Sequence, residues 1–325
     1  MILVKTPLRI TLGGGGTDLP YYYKKRGGFC VTASIKYYTY ISINDTFHKN
    51  YILKYSITEN VKKINKIKHN IFRDIYTQFK VNKFIETTSL ADIPSGTGLG
   101  SSASFTVGLC LALNKYFNKK LTLAEITKLA CEREIFLTKG STGKQDQYAV
   151  SNPGINAFEF LKTGQVKKKK INLSIETKKK FENRFVLVFS NYTRNTSIVL
   201  NKQKKLFQNS KNLIKSYDDL KSLGYQSFTA LKKNDLDLVG EILNEQWKIK
   251  KNINKYNSNT EINDIYNFCM QNGALAGRLL GAGNGGFFIF YTKNKRFFSK
   301  KLLKHNLKMI DVNLSDEGPK IIECD

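Results

Sequence analysis

A stretch of glycines and serines in the middle of the chain carries the residues best suited to binding an anion. Residues 94–104 read Pro-Ser-Gly-Thr-Gly-Leu-Gly-Ser-Ser-Ala-Ser and run into an apolar segment that predicts a helix. A loop that opens directly into a helix presents free backbone N–H groups at the positive end of the helix dipole. Because glycines let phosphate oxygens approach the backbone, the segment predicts a phosphate site, with serine hydroxyls that could also ligate magnesium. A serine-capped helix after a flexible turn is the alternative.

Two further glycine-rich segments lie near the ends of the chain. Residues 9–18 bring together Arg9, four glycines and Asp18, whose carboxylate could form a turn or accept hydrogen bonds from sugar hydroxyls. Residues 281–286 have the spacing GxGxxG, but we expect a helix before them and a strand after them. The dinucleotide fingerprint needs the opposite order, so a dehydrogenase is disfavoured. The middle segment lacks the Gly-Lys-Ser/Thr ending of a Walker A loop, which excludes P-loop chemistry.

Carboxylates must supply any acid–base catalysis in this chain. Only three histidines occur, each in a context rich in lysine and asparagine. The five cysteines are scattered and never spaced as CxxC, which argues against a metal cluster or a disulfide framework. Hydrophobic residues make up 41% of the sequence, so the chain has the apolar content of a globular protein and is not a disordered polymer.

The elements that must position these residues follow one another in mixed order, which indicates an α+β fold. Thr122 and Glu125 form a capping box at the start of one helix, and Thr260 is the predicted cap of another. We place a domain boundary after a lysine-rich stretch, which gives domains of residues 1–184 and 185–325. Strands are predicted over residues 2–12, 29–43, 83–88, 185–190 and 287–291. Helices are predicted over residues 61–79, from about 101 to 117, and over 121–137. After the strand at 185–190, helices are predicted to dominate to about residue 278, the clearest beginning at 260, and another helix is predicted over 297–305.

The chain is strongly basic, with 53 Lys plus Arg against 26 Asp plus Glu and a formal net charge of +27. Such a field attracts polyanions, but it serves anionic small substrates equally well. The lysine runs 167–170 and 178–180 are predicted as solvated turns without the aromatic pair of an RNA-binding sheet. No apolar run approaches the roughly 18 to 20 residues that cross a bilayer, and no signal peptide is recognised. We therefore expect a cytoplasmic monomer or homodimer that binds neither nucleic acid nor a membrane.

Taken together, the three glycine-rich segments resemble the motifs of the GHMP kinase superfamily. The second family motif, Pro-x-x-x-Gly-Leu-Gly-Ser-Ser-Ala, matches residues 94–103, and the third matches residues 280–287. Residues 6–20 and 143–149 are most similar to the bacterial D-glycero-D-manno-heptose 7-phosphate kinases. The resemblance implies ATP-dependent phosphorylation of a sugar phosphate at its anomeric hydroxyl. It also implies an N-terminal domain like domain 2 of ribosomal protein S5 and a ferredoxin-like C-terminal domain, with ATP and sugar in the cleft between them.

The resemblance further implies a role for each candidate residue. Asp146 would take the proton from the sugar hydroxyl, with Arg9 and Lys144 as catalytic cations. Ser102 and Glu134 would ligate Mg²⁺, which prefers hard oxygen ligands. The ATP phosphates would be bound by Pro94, Gly96, Gly98, Leu99, Gly100, Ser101, Ser102, Ala103 and Ser104. The sugar phosphate would be bound by Gly15, Gly16, Thr17, Asp18, Arg194, Gly283, Asn284 and Gly285.

Alternatives stay open at several of these positions. Glu132 competes with Glu134 as the metal ligand, and Asp146 could instead cap a helix. Asn284 stands where the third motif usually has glycine, but asparagine tolerates left-handed backbone geometry, so we expect this loop to close. Arg278 replaces a frequent lysine and keeps its charge. The competing functions are a kinase for fucose or another sugar and a nucleic-acid-binding protein on a kinase-like scaffold.

Overall fold

The computed structural model describes residues 1–192, 200, 204–207, 210–253 and 260–323. Within these ranges the chain forms two sheets with helices packed on them, which confirms the predicted α+β class. The strands are β1 (Ile2–Gly13), β2 (Gly28–Asp45), β3 (Tyr51–Lys54), β4 (Thr58–Val61), β5 (Ile85–Ala91), β6 (Ile155–Phe160), β7 (Val166–Ile171), β8 (Phe185–Phe189), β9 (Ala276–Leu279), β10 (Phe287–Tyr291), β11 (Met309–Asp311) and β12 (Lys320–Glu323). The α-helices are α1 (Pro20–Arg26), α2 (Asn70–Gln78), α3 (Ser101–Tyr116), α4 (Leu123–Leu137), α5 (Gln145–Ser151), α6 (Ile175–Arg184), α7 (Lys211–Lys232), α8 (Leu236–Ile253), α9 (Thr260–Gln271) and α10 (Lys295–Lys304).

The first sheet is built around the 18-residue strand β2. β1 pairs with β2 in antiparallel register, and the pairing shifts after Pro7 and again after Thr11. The first part of β2 also pairs with β6, and its last part pairs with β5. The described strands follow the order β12-β1-β2-β5-β3-β4, with β6 and β7 extending from β2. The bent strand β1 thereby carries the first glycine-rich segment from the sheet to the cleft described below.

Helix α3 packs directly on β1 and β2 because its residues are small or apolar. Gly108 makes the approach close, since a Cβ at this position would lie 2.9 Å from Thr6 Oγ1. The neighbouring helix α4 begins with the predicted capping box. Thr122 accepts a hydrogen bond from the Glu125 backbone, and the Glu125 carboxylate accepts one from the Thr122 backbone at 2.8 Å, which confirms the prediction.

The single helix predicted over residues 61–79 is wrong. The segment begins at the end of β4, passes through a short 3₁₀ turn at Ile64–Lys66 and becomes α-helical only at α2. Glu59 accounts for the break, because its carboxylate accepts hydrogen bonds from the backbone of Lys68 and His69 at 2.6 and 3.1 Å. His69 then caps α2 by accepting from Phe72 N. The apolar spacing along residues 61–79 indicates a buried face, but it does not indicate where the helix is interrupted.

The second sheet contains β8, β9, β10 and β11 in the order β11-β8-β10-β9, with all pairs antiparallel. Numbered within this half of the chain, the order is 4-1-3-2, with helices between the first and second and between the third and fourth strands, as in the βαββαβ motif of ferredoxin-like domains. Strand β9 was not predicted, since helices were expected to about residue 278. It has only four residues, all buried, and so carries no alternating pattern.

Both lysine runs lie in regular structure, so their prediction as turns is wrong. Lys167–Lys170 belong to β7, which pairs with β6 only among the described strands, and Lys178–Lys180 belong to α6. Exposed lysines on an edge strand discourage pairing with another chain. The run 167–170 is exposed throughout, as predicted for solvated charge.

One large apolar core joins the two halves of the chain. It contains Leu8 and Ile10 of β1 together with Leu187 of β8 and Ile289 of β10. The last strand, β12, pairs with β1 and so returns the C-terminal end to the first sheet. The division at residue 184 stays a prediction. No helix among the described residues is long and apolar enough to cross a membrane.

Candidate active site

The three glycine-rich segments meet around one cleft where the two halves of the chain face each other. The cleft encloses a cavity of about 290 Å³. Strand β1, the start of α3, the start of α5 and the loop after β9 all reach it. Among its lining residues are Arg9, Gly15, Gly16, Asp18, Gly96, Gly98, Gly100, Ser101, Ser102, Glu134, Asp146, Gly281 and Gly283.

The middle segment has the backbone geometry of an anion-binding loop. Gly96, Gly98 and Gly100 have φ values of 76°, 84° and 79°, a left-handed geometry that strains other residues. This path leads into α3, for which Gly100 is the N-cap. Ser101 and Ser102 then place the first-turn N–H groups of a 16-residue helix at the cleft. These donors and the helix dipole favour a phosphate.

Arg9 and Asp146 form a bidentate ion pair beside this loop. Arg9 Nε donates to Asp146 Oδ1 at 2.9 Å, and Nη2 donates to Oδ2 at 2.6 Å. Arg9 is also fixed to the loop, because Nη1 donates to Gly98 O at 2.6 Å and its backbone N donates to Leu99 O at 2.9 Å. The guanidinium is 3% exposed and the carboxylate 31% exposed, so the carboxylate is the partner open to the cleft. Asp146 lies in the first turn of α5, whose N-cap is Lys144, so it is not the helix cap considered above.

Asp18 is buried in the wall of the same cavity. Its Oδ2 accepts from Gln145 N at 2.9 Å, whereas Oδ1 is buried without a hydrogen-bond partner among the described residues. Burial raises the pKa of this carboxyl to about 6, and the charge of Asp146 acts in the same direction against the Gln145 amide. Gly143 makes room for the side chain, since a Cβ there would lie 1.8 Å from Asp18 Oδ2. A buried acceptor of this kind is suited to a hydroxyl group of a ligand.

Glu134 of α4 and Ser102 of α3 offer oxygen ligands next to residues 94–100 of the middle segment, which we call the phosphate loop. Ser102 Oγ donates to Glu134 Oε2 at 3.1 Å, and Glu134 Oε1 is buried without a hydrogen-bond partner in the described ranges. Burial raises the pKa of Glu134, while nearby Thr106 and Gln147 oppose the shift. The competing residue, Glu132, is exposed on the other face of α4, which favours Glu134.

The chemistry of this pair fits Mg²⁺ that is shared with a nucleotide. No group of three or more His, Cys, Asp or Glu side chains among the described residues could hold a metal on its own. Magnesium usually takes one or two protein ligands and completes its octahedron with phosphate oxygens and water. Ser102 and Glu134 therefore fit that role, and the orphaned Glu134 Oε1 is the oxygen that a cation would satisfy.

The third glycine-rich segment closes the cleft by packing on the middle one. Phe287 N donates to Thr97 O at 2.9 Å, and a Cβ on Gly286 would lie only 2.2 Å from that oxygen. Asn284 has φ 61°, so the expected left-handed geometry is confirmed. The segment joins two strands, β9 and β10, and the expected helix before it is wrong. The exclusion of a dinucleotide fingerprint still holds, because a strand follows the glycines where a helix would be needed.

Three predicted site residues direct their side chains elsewhere. Lys144 Nζ donates to Gly164 O at 2.6 Å, in the turn between β6 and β7, and does not line the cavity. Thr17 Oγ1 donates within the fold to Gly14 O at 2.8 Å. Ser104 Oγ is buried and donates to Thr6 O at 2.9 Å, so it supports β1. In the structure, these hydroxyl and ammonium groups form hydrogen bonds within the protein.

Other predicted residues act through the backbone or cannot be assessed. Leu99 and Ala103 are buried apolar residues that anchor the loop and helix in the core. Pro94 O accepts from Thr97 Oγ1 at 2.9 Å and shapes the loop entrance. Gly285 packs on Tyr192, while Gly283 lines the cavity. Arg194 lies outside the described residues.

Several residues of the C-terminal half that line the cavity were not predicted from the sequence. Tyr217 of α7 and Trp247 and Lys250 of α8 line the cavity. Tyr217 stands next to Gly16, where a Cβ would lie 3.4 Å from its ring. The only signal that could have found Lys250 is its position three residues after Trp247, on the same face of a helix.

The comparisons with known proteins agree with this geometry. Residues 61–154 match the description "GHMP kinases N terminal domain", and residues 227–300 match "GHMP kinases C terminal". The chain is 31% identical to a D-glycero-alpha-D-manno-heptose 7-phosphate kinase of Campylobacter jejuni, over 98% of both chains. It is 25% identical over 90% of its length to a bifunctional fucokinase/GDP-fucose pyrophosphorylase of Arabidopsis thaliana, of which it spans 30%.

A solved structure shows the same fold. A D-glycero-D-manno-heptose 1-phosphate kinase from Bacteroides thetaiotaomicron superimposes with a TM-score of 0.80 at 24% identity, covering 100% of both chains. A glycine-rich loop that leads into a helix, a carboxylate held by arginine and a pair of oxygen side chains suited to Mg²⁺ are the parts that phosphoryl transfer requires. The chain belongs to the GHMP kinase family. It is a sugar kinase that acts on an alcohol acceptor, as the resemblance implied.

Proposed function

We propose that this sugar kinase transfers the γ-phosphoryl group of ATP to the anomeric hydroxyl of D-glycero-D-manno-heptose 7-phosphate. The product would be the 1,7-bisphosphate, for the synthesis of nucleotide-activated heptose. The heptose 7-phosphate kinase that is 31% identical over 98% of the chain supports this acceptor. Use of ATP is in keeping with a cytoplasmic location, which stays a prediction.

The observation that carries the proposal is the ion pair of Arg9 and Asp146 beside the phosphate loop. In the proposed reaction Asp146 accepts the proton of the anomeric hydroxyl. That oxygen then forms a bond to the γ-phosphorus, the bond from phosphorus to the β–γ bridging oxygen breaks, and ADP leaves. Arg9 holds the carboxylate in one orientation and places positive charge next to the transferring group.

The loop and helix α3 would bind the ATP phosphates through backbone N–H groups, chiefly those of Ser101 and Ser102. Ser102 and Glu134 would hold Mg²⁺. When bound, this ion would neutralise charge on the phosphate oxygens. Since phosphoryl transfer depends mainly on positioning and charge stabilisation, the rigid fixation of Arg9 to the loop supports the mechanism directly.

Asp18 would bind the hydroxyl groups of the acceptor. The Gln145 amide fixes Oδ2, so the orphaned Oδ1 is the oxygen left for a sugar hydroxyl. Because this carboxylate oxygen lies in a buried wall of the cavity, it favours a ligand with a hydroxyl group at this position. A ligand without that donor would leave the oxygen unpaired.

An assay for ADP release with Mg-ATP tests the acceptor. The panel consists of D-glycero-D-manno-heptose 7-phosphate, mannose 6-phosphate and fucose. We expect kcat/KM for the heptose phosphate to exceed that for fucose by about 100-fold or more, as sites built on hydrogen-bonded recognition allow. Activity on an unphosphorylated sugar, with none on the heptose phosphate, would refute the proposed acceptor.

A fucose kinase is the second candidate, favoured by the 25% identity to a fucokinase-containing protein. The same assay separates the two. A nucleic-acid-binding protein on this scaffold would instead bind RNA or DNA in a salt-sensitive manner without ATP turnover. Such a protein has no use for Asp146, Glu134 and Ser102 in one cleft, so we do not favour it.

A further inference from the structure

The acceptor proposed above carries a phosphate at the end remote from its anomeric hydroxyl, and that charged group needs its own cation. Among the residues that the structure describes, the charged side chains that line the cavity are the carboxylates of Asp18, Glu134 and Asp146 and the cations of Arg9 and Lys250. Arg9 is engaged at the reacting end by Asp146 and by the Gly98 carbonyl. A phosphate elsewhere in this cavity would lie near carboxylates unless a separate cation received it.

We propose that Lys250 Nζ binds the remote phosphate of the sugar phosphate, an inference that rests on the proposed function. Lys250 comes from α8 in the C-terminal half, whereas Arg9 and Asp146 come from β1 and α5 in the N-terminal half. The two cations therefore reach the cavity from different halves of the chain. A sugar that spans the cleft would present its anomeric hydroxyl near Arg9 and its phosphate to Lys250.

The face of α8 explains how the ammonium group reaches the cavity. Trp247 and Ile253 lie three residues before and after Lys250, and all three line the cavity. The apolar stem of the half-buried lysine can run along these side chains while its ammonium group stays accessible to a ligand in the cavity. Lys250 Nζ lies 3.3 Å from Gly281 O, which places it at the third glycine-rich segment.

The neighbouring lysines of α8 do not share this position. Lys248 is exposed and paired with Glu245 at 2.7 Å. Lys251 lies over the rings of Trp247 and Tyr266, at 5.7 and 5.8 Å from their centroids. Neither lines the cavity. Lys248 is therefore a matched control, because it has the same side chain on the same helix outside the cleft.

The test compares wild type, Lys250→Met, Lys250→Arg and Lys248→Met with heptose 7-phosphate and with the unphosphorylated heptose. We expect Lys250→Met to raise KM for the phosphorylated sugar by about 30-fold or more, the loss of one charge-assisted hydrogen bond. Its kcat, its KM for ATP and its activity on the unphosphorylated sugar should stay within about threefold of wild type. Lys250→Arg should recover most of the affinity, and Lys248→Met should behave as wild type.

Two results would overturn the assignment of Lys250. An equal loss with phosphorylated and unphosphorylated sugar would show that Lys250 only supports the Gly281 loop. A rise confined to KM for ATP would place it at the nucleotide. The proposed function is judged separately, from wild type alone: if wild type does not prefer the phosphorylated sugar, the proposed acceptor fails and this inference fails with it. If wild type prefers it and Lys250→Met keeps that preference, only the assignment of Lys250 fails.

Discussion

Asp18, the proposed ligand of the sugar hydroxyls, lowers the stability of the fold in its ionised form. Its pKa is raised from 3.8 to about 6 by burial, so the folded state holds its proton to higher pH than the unfolded state does. The free energy of unfolding must then fall as pH rises from about 4 to about 6, and the loss is complete above that range. The carboxylate form, which accepts hydrogen bonds from hydroxyls, is the form that the fold disfavours.

We therefore predict that Asp18→Asn stabilises the protein at pH 7.5 by up to about 3 kcal/mol, the equivalent of the pKa shift. At pH 4 the difference from wild type should largely disappear, because both side chains are then neutral. Urea unfolding at the two pH values measures this. KM for the sugar should rise in the variant. A variant that is destabilised equally at both pH values would show that Asp18 carries no such penalty.

At the residue scale, motif positions identified the reacting pair but not every side-chain direction. Arg9 and Asp18 could be found because each stands at a fixed place in a glycine-rich segment, and Asp146 because residues 143–149 carry part of the family resemblance. Lys144 and Ser104 have suitable chemistry at suitable spacing, yet they face Gly164 and Thr6. Side-chain direction depends on the local backbone path, which residue types alone do not specify. Lys250 is one of many lysines in a chain with 53 Lys plus Arg, so its type carried no signal.

At the element scale, the contact between the third and middle glycine-rich segments should be essential for the cleft. Gly286 combines φ 99° with a position where a Cβ would lie 2.2 Å from the Thr97 backbone oxygen. We predict that Gly286→Ala lowers kcat/KM by about 100-fold, because small displacements of a positioned site have effects of that size.

Gly154→Ala is the matched control for this prediction. Gly154 also has positive φ, 77°, but a Cβ there would meet nothing within 4 Å. It should cost about 1 to 2 kcal/mol of stability through backbone strain and leave kcat/KM unchanged. Steady-state kinetics and thermal unfolding of both variants separate strain from collision. Equal kinetic effects in the two variants would argue against a role for the contact between the loops.

Element types were largely predictable, and the exceptions have physical causes. The capping box of Thr122 and Glu125 is a local signal, so the start of α4 could be located from sequence. The break before α2 depends on Glu59, a residue of the neighbouring strand whose contact with the Lys68 backbone is not visible as a pattern. β9 is too short and too buried to show alternation.

At the scale of the whole molecule, a strand pair also joins the two halves of the chain. β12 pairs with β1 over Ile2 to Lys5, and Ile321 packs against the core beneath α3. We predict that a chain ending at residue 319 loses about 2 kcal/mol of stability, since it exposes an edge of the first sheet and removes a half-buried side chain from the core.

Thermal unfolding measures the effect, with Ile321→Ala as the control that removes the side chain and keeps the strand. The control should lose less than the truncated chain. A melting temperature unchanged by truncation would mean that the first sheet does not depend on β12. This strand pairing could not be predicted from the sequence, because nothing in residues 320–323 specifies residues 2–5 as their partner.

The proposed phosphoryl transfer depends on Asp146 acting as the base beside the phosphate loop, and Asp146→Asn tests this role most directly. The matched control is Asp74→Asn, because Asp74 forms an equivalent bidentate pair with Arg133 outside the cavity. We predict that Asp146→Asn lowers kcat by about 100- to 10,000-fold, the usual contribution of a positioned base, while ATP affinity stays within about threefold and Asp74→Asn remains active. Turnover by Asp146→Asn at close to the wild-type rate would contradict the account.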